Sequence, residues 1–122
     1  MNSRNYDDSN IFAKIIKGDI KAEIVYENDN VICFKDISPR APVHILIIPK
    51  NKYIDLNDFS SNSNTEEKIS IFQAFSGIVE KFNLEESGYR LISNSGKDGR
   101  QEVPHLHFHM LGGKDIGKML SL

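Results

Sequence analysis

Residues 105–111 read "HLHFHML", a histidine at every second position with an apolar residue in each gap. A period of two is the mark of an extended strand with unlike faces. As a strand, the stretch sends His105, His107 and His109 to one side and Leu106, Phe108 and Met110 to the other. Neighbouring histidines then stand about 6.5 Å apart, at about 3.3 Å per residue. That is close enough to share one small ligand and too far for direct hydrogen bonds. One face of the strand is imidazole and the other is core.

The remaining elements follow outward from this strand. Pro104 precedes it, and before that come the glycine-containing loop "GKDGRQEV" and a strand, "YRLISNS". Upstream, "VHILIIP" (43–49) is apolar on both faces, as a central strand would be. It carries the fourth histidine, His44, on the same side as Leu46 and Ile48. "AEIVYE" and "VICFKD" are separated by the turn signal "NDN" and read as a hairpin. A short helix begins at "IFAKIIKGDI", with Asn10 as N-cap and Gly18 as stop. A longer one is predicted from Thr65 to Phe82, where Asn64 and Glu67 form a capping pair and Ile71, Phe72, Phe75, Ile78, Val79 and Phe82 make a core stripe. "FSSNSN" (59–64) reads as a polar loop. The expectation is an α+β fold with a five-stranded, mostly antiparallel sheet and two main helices.

Composition narrows the function. A chain of 122 residues, 39% of them hydrophobic, suits one compact domain. It is expected to span residues 10–122 behind a flexible polar tail, residues 1–9. The 15 basic and 17 acidic residues are interspersed, with no run suited to a polyphosphate backbone, so nucleic acid is not the expected partner. No segment approaches the ~20 apolar residues of a membrane span, and the first ten residues lack the core of a signal peptide, which points to the cytoplasm. Cys33, the only cysteine, sits in the apolar run "VICF" and reads as a buried small hydrophobe. A sheet covered by two helices leaves a face or an edge open, and pairing with a second copy into a homodimer would hide it.

Three histidines in phase are a poor device for stability alone, because burial penalises their charged forms and joint protonation makes them repel. A metal would relieve that cost, since imidazole is a common zinc ligand. An anion would as well. No Cys-x-x-Cys pair or acidic cluster accompanies the histidines, whereas the preceding loop offers Gly96, Gly99, Asn94, Lys97, Arg100 and Gln101 as donors of the kind that hold phosphate.

"HLHFHML" matches at every position the His-apolar-His-apolar-His-apolar-apolar signature of the histidine-triad (HIT) superfamily, and the chain resembles it closely. The likeness extends through "IFAKIIKGDIKAEIVYEND", "CFKDISPRAPVHILIIPK" and "GYRLISNSGKDGRQEVPHLHFHMLGG", nearly continuously from Asn10 to Gly113. These blocks resemble the Hint branch, the purine nucleoside phosphoramidases. The resemblance implies hydrolysis of the P–N bond of AMP- or GMP-amine conjugates through a nucleotidyl-histidine on His107. It gives His109 a contact with the phosphate or leaving group and makes His44 and His105 a relay behind the nucleophile. Asn94 and the backbone at Val103 would contact phosphate, with Gln101 among the loop donors, and Asp36 would hold the ribose hydroxyls. Phe12, Ile15, Phe34 and Ile37 would line the purine cleft. Neither a metal nor another cofactor is implied.

Two departures bear on the leaving group. Glu102 stands where part of the branch has a serine that meets phosphate, so its carboxylate is expected to turn away or to act on an amine. The C-terminal "KDIGKMLSL" lacks the tryptophan that ends many Hint tails. Three alternatives remain beside the phosphoramidase: a dinucleoside polyphosphate hydrolase, a nucleotide-binding regulatory or scaffold dimer, and a zinc-site protein.

Overall fold

The computed structural model describes residues 5–120. In chain order these form α1 (Ile11–Lys17), β1 (Ile24–Glu27), β2 (Val31–Lys35), β3 (Val43–Pro49), α2 (Leu56–Asn62), α3 (Thr65–Lys81), β4 (Tyr89–Ile92) and β5 (Phe108–Gly112). The five strands make one antiparallel sheet in the order β1-β2-β3-β5-β4. The β1–β2 turn is built as its sequence suggests: the Asn28 side chain accepts from the amides of Asn30 and Val31, both at 2.9 Å.

The central strand β3 separates two apolar layers. Ile45 and Ile47 join Cys33, Phe108 and Met110 in a core beneath Ile71, Ala74 and Ile78 of α3. Leu46 and Ile48 face the other way and pack with Phe34 under Phe12 and Ile15 of α1. Asn10 caps α1 through its Oδ1, which accepts from Ala13 N at 2.9 Å, and Gly18 ends it at φ 85, a left-handed backbone that glycine takes without strain. α3 starts with a reciprocal capping box between Asn64 and Glu67. Gly77 lets this helix approach the sheet, because a Cβ there would lie 2.6 Å from the Tyr26 ring. Cys33 is fully buried and its thiol is pushed up to about 12 by that burial, as befits a core residue.

Four details differ from the sequence reading. Part of the stretch read as polar loop is helix α2, which starts earlier, at the Asp55 cap, and is anchored by the single buried apolar residue Phe59. Too few apolar positions fall in that helix to leave a periodic signal. Phe72, assigned to the core stripe of α3, is 68% exposed at the margin of that stripe, where its ring meets Phe75 edge to face. The strand read from Tyr89 to Ser95 ends at Ile92. The histidine strand begins only at Phe108. Pro104 has no N–H to give a ladder, His105 N folds back to Val103 O at 2.9 Å, and Leu106 N bonds Tyr53 O at 2.8 Å instead of a strand. The alternation nonetheless survives, with Leu106, Phe108 and Met110 in the core under α3.

Of the tail expected to be flexible, residues 1–4 lie outside the described residues. Within 5–9, Tyr6 bonds His105 and Asp8 pairs with Lys52 at 2.8 Å.

Candidate active site

α1 is only seven residues long and covers the histidine face of the sheet in part. Beside it opens a cavity of about 480 Å³, bordered by Phe12, Ile15, Phe34, Asp36, Ile37, His44, Asn94, Glu102, Val103, His107 and His109. The alternation of β3 and of the 105–109 segment delivers His44, His107 and His109 to this wall. His105 lies behind it, fully buried. A brace from the far side of the sheet places the segment: Tyr53, whose carbonyl holds Leu106, donates its hydroxyl at 2.7 Å to the buried carboxylate of Glu67 in α3.

The protons on the four imidazoles follow from their partners, since a carbonyl only accepts and a backbone N–H only donates. His107 Nδ1 lies 2.7 Å from His105 O and therefore carries the proton, which leaves Nε2 as a bare lone pair. His105 Nε2 donates to Pro49 O at 2.8 Å, so its Nδ1 accepts, from the Tyr6 hydroxyl. His44 Nδ1 accepts from the amide of Arg40 at 3.1 Å, so His44 Nε2 carries a proton and gives it to His109 Nδ1 at 2.9 Å. His109 then holds its own proton on Nε2. The cavity wall thus presents one nucleophilic nitrogen and, with ring centroids 5.1 Å apart, one N–H donor.

Burial keeps these rings neutral. It pushes His105 and His109 down to about 4, with the adjoining imidazoles adding to the effect on each. It also lowers His107, against the opposing pull of the His105 carbonyl and of the Glu102 and Asp36 carboxylates. His44 is lowered by burial too, although Asp36 opposes it. Neutral rings remove the like-charge repulsion that a charged row would suffer.

The relay takes a form different from the one the resemblance implied. His44 serves His109, not His107, and His105 supports His107 through its main-chain carbonyl. Gln101 is not brought to the cavity: its Oε1 accepts from Gly96 N at 3.1 Å, and its Nε2 donates to Ile54 O at 2.7 Å and Val103 O at 2.9 Å, which braces the loop. Asp36 uses Oδ1 to accept from Ser38 N at 2.8 Å, and its Oδ2 lies 3.4 Å from His44 Nε2. Ile37 borders the cavity while 90% exposed, at its mouth. Glu102 has not turned away, since it borders the cavity and acts on His107. Sequence reasoning missed the Arg40 amide, which any residue but proline could supply, and Tyr6, hidden in a polar stretch without periodicity.

Asp36, His44 and His109 bring one potential ligand atom each within 4.8 Å of one another, the spacing of a metal site. The protons fit such an ion poorly. His44 Nε2 carries a hydrogen because its Nδ1 is taken by the Arg40 amide, and an ion there would have to break that bond.

A wall of neutral imidazoles on an apolar cavity, with one bare nitrogen beside one N–H, defines a class of protein: one that can offer a histidine nucleophile to an electrophile held in the cleft. The chain belongs to the HIT domain family, whose model matches residues 17–116. It is similar to the purine nucleoside phosphoramidase of Escherichia coli K12, 46% identical over 111 residues and covering 91% of this chain and 92% of that one. An uncharacterised HIT-like protein of Rickettsia prowazekii is likewise 46% identical, with the same coverage. Among solved structures, a HIT family hydrolase from Clostridium thermocellum superposes with a TM-score of 0.85 at 43% identity, covering 93% of this chain and 99% of that one. Among the described residues no helix is long and apolar enough to cross a membrane.

Proposed function

We propose that this protein is a cytoplasmic hydrolase of purine nucleoside 5′-phosphoramidates that works through a nucleotidyl-histidine. The carrying observation is the bond from His107 Nδ1–H to the His105 carbonyl, which leaves the Nε2 lone pair free toward the cavity. In this reading Nε2 attacks the α-phosphorus, and the amine departs with the electron pair of the P–N bond, taking up one proton. Water then attacks phosphorus, the N–P bond breaks back to His107, and one proton is released. His109 Nε2–H faces the phosphoryl oxygens or the departing nitrogen, where a preoriented donor stabilises developing charge. Asn94 and the backbone near Val103 would hold the phosphate. Phe12, Ile15, Phe34 and Ile37 would enclose the purine, and Asp36 Oδ2 would receive a ribose hydroxyl.

Support comes from the similar E. coli purine nucleoside phosphoramidase and from the similar HIT family hydrolase of C. thermocellum. The test is turnover of a fluorogenic adenosine phosphoramidate, with and without chelator, by wild type and by His107→Ala. Chelator-insensitive turnover that disappears in the variant is expected. A folded, nucleotide-binding wild type without turnover would overturn the reading in favour of a binding module, and faster cleavage of diadenosine polyphosphate would redirect it to that substrate.

The working unit in this reading is a homodimer. Ile69 and Phe72, 52% and 68% exposed, border a groove along the outer side of α3, and the edge strand β4 shows Tyr89 and Leu91 at 48% and 38%. Such exposed apolar surface and an unpaired strand edge favour association. Sedimentation should give twice the mass of the 13.8 kDa chain, and Phe72→Glu should shift it toward monomer. A wild-type monomer at micromolar concentration would refute the dimer.

A further inference from the structure

The polar stretch ahead of α1 carries a side chain that reaches the back of the histidine network. The Tyr6 hydroxyl lies 2.5 Å from His105 Nδ1, and the two rings meet edge to face with centroids 5.5 Å apart. His105 Nε2–H is committed to Pro49 O, so Nδ1 is an acceptor and the phenol is its donor. Tyr6 is itself held in place: Lys52 pairs with Asp8 at 2.8 Å and sets its ammonium 6.0 Å from the centre of the Tyr6 ring. The backbone turns tightly into α1 just beyond, where Asn10 Nδ2 bonds Asp7 O at 2.7 Å. Burial also holds the phenol above its ordinary value, so it stays protonated and able to donate.

His105 does two things at once. Its ring takes the Tyr6 hydroxyl, and its main-chain carbonyl takes His107 Nδ1–H. Removing the phenol leaves a nitrogen lone pair without a partner on a fully buried ring. An orphaned buried acceptor is costly enough for the ring to turn or for water to be drawn in. Either response loosens the hold on the residue whose carbonyl accepts from His107.

We propose that Tyr6 is a positioning residue for His107: its hydroxyl pins the His105 ring, and the pinned His105 carbonyl holds His107 in the tautomer with a free Nε2. The proposal rests on His107 being the nucleophile, and it gives the segment before the HIT domain match a part in the reaction. Tyr6→Phe is the direct test, because it keeps the ring and its edge contact while removing only the donor. In the full-length protein kcat should fall about ten-fold, with KM within two-fold of wild type, as expected when a supporting hydrogen bond to the reacting group's holder is lost.

Nitrogen NMR of the imidazoles supplies a readout independent of turnover. Wild type should show His107 as one Nδ1–H tautomer, and Tyr6→Phe should show a tautomer mixture or exchange broadening at His107 together with a shifted His105 Nδ1. An unchanged kcat, a loss confined to KM, or an unchanged His107 signal would overturn the proposal. If wild type itself lacked phosphoramidase activity, the functional reading would fall while the spectra still judged the pinning. Lys52→Gln provides a second variant, which loosens the segment with the hydroxyl intact. It should shift the same His107 signal less than Tyr6→Phe does, and a larger effect than that of Tyr6→Phe would place the cause in the segment's packing, against the hydroxyl.

Discussion

The two faces of the sheet are built from alternate residues of the same strands, yet they are held by different physics. Toward α3, Ile45, Ile47, Phe108 and Met110 pack into a dry core where each side chain has many interchangeable neighbours. Toward α1, His44, His105, His107 and His109 are each fixed by one or two directional bonds to a specific atom: the Arg40 amide, the Pro49 carbonyl, the His105 carbonyl, the Tyr6 hydroxyl and, for His109, the His44 Nε2–H. One face is redundant and the other is not. Damage to the first should appear as lost stability, and damage to the second as lost chemistry.

Adjacent residues allow the largest test of this division. Phe108→Ala empties a buried site and should cost roughly 3–5 kcal/mol in urea unfolding, while the molecules that remain folded keep most of their turnover. His107→Ala should do the reverse, with turnover down by on the order of 10³-fold or more and a much smaller change in stability. If both variants lost activity per folded molecule to the same degree, the faces would not be separable and the division would fail.

The pH dependence sharpens the comparison, because all four histidines of the chain lie on the one face. His105 and His109 are held at about 4 in the native state against 6.5 for a free imidazole. Below 6.5 the unfolded chain therefore binds protons that the native state refuses, and stability falls as pH drops. It is fully present above 6.5 and is lost progressively toward pH 4. The slope is at most about 1.4 kcal/mol per pH unit for each such histidine, and less for the partly exposed His109. Glu67 is also pulled below its usual value of 4.5, where hydrogen bonds from Asn51 and Tyr53 outweigh the effect of burial, so its contribution is present above that pH and is lost below it. Urea midpoints between pH 7.5 and 5 thus read the imidazoles. A flat profile over that range would mean the rings are not held neutral.

The sequence revealed these faces unequally. Alternation in "VHILIIP" and "HLHFHML" assigned each residue to its face, and the helix caps at Asn10, Asn64 and Gly18 were readable because capping depends on side-chain type. The hydrogen-bond wiring was not readable. The groups that fix the tautomers of His44 and His107, and one of the two that fix His105, are main-chain atoms of Arg40, His105 and Pro49, and a main-chain N–H or C=O carries no signature in the identity of its residue. Gln101 was misplaced for a related reason: a loop donor can face the ligand or brace the loop, and composition is the same in both cases. Phe72 shows the limit of periodicity, since it lies about 100° round the helix from Ile71, at the margin of the stripe, where helical position alone does not decide burial.

The smallest expected effect concerns Glu102, where the histidine face meets solvent. Its carboxylate is exposed, so its interaction with a ligand charge is weakened by water and salt. It nevertheless borders the cavity and raises the proton affinity of His107, which places it within electrostatic reach of the bond to be broken. An anionic rim repels further phosphate and attracts a cation, so Glu102 should favour phosphoramidates whose amine bears a second, ammonium group, as a lysine-derived conjugate does. Glu102→Gln should lower kcat/KM for such a substrate, relative to one with an uncharged amine, by about two- to five-fold at low salt, shrinking as ionic strength rises. Stability should stay within about 0.5 kcal/mol, as for most exposed substitutions. An unchanged ratio would leave Glu102 a solvated loop residue, and a loss shared equally by both substrates would mean that it acts on His107 and not on the leaving group.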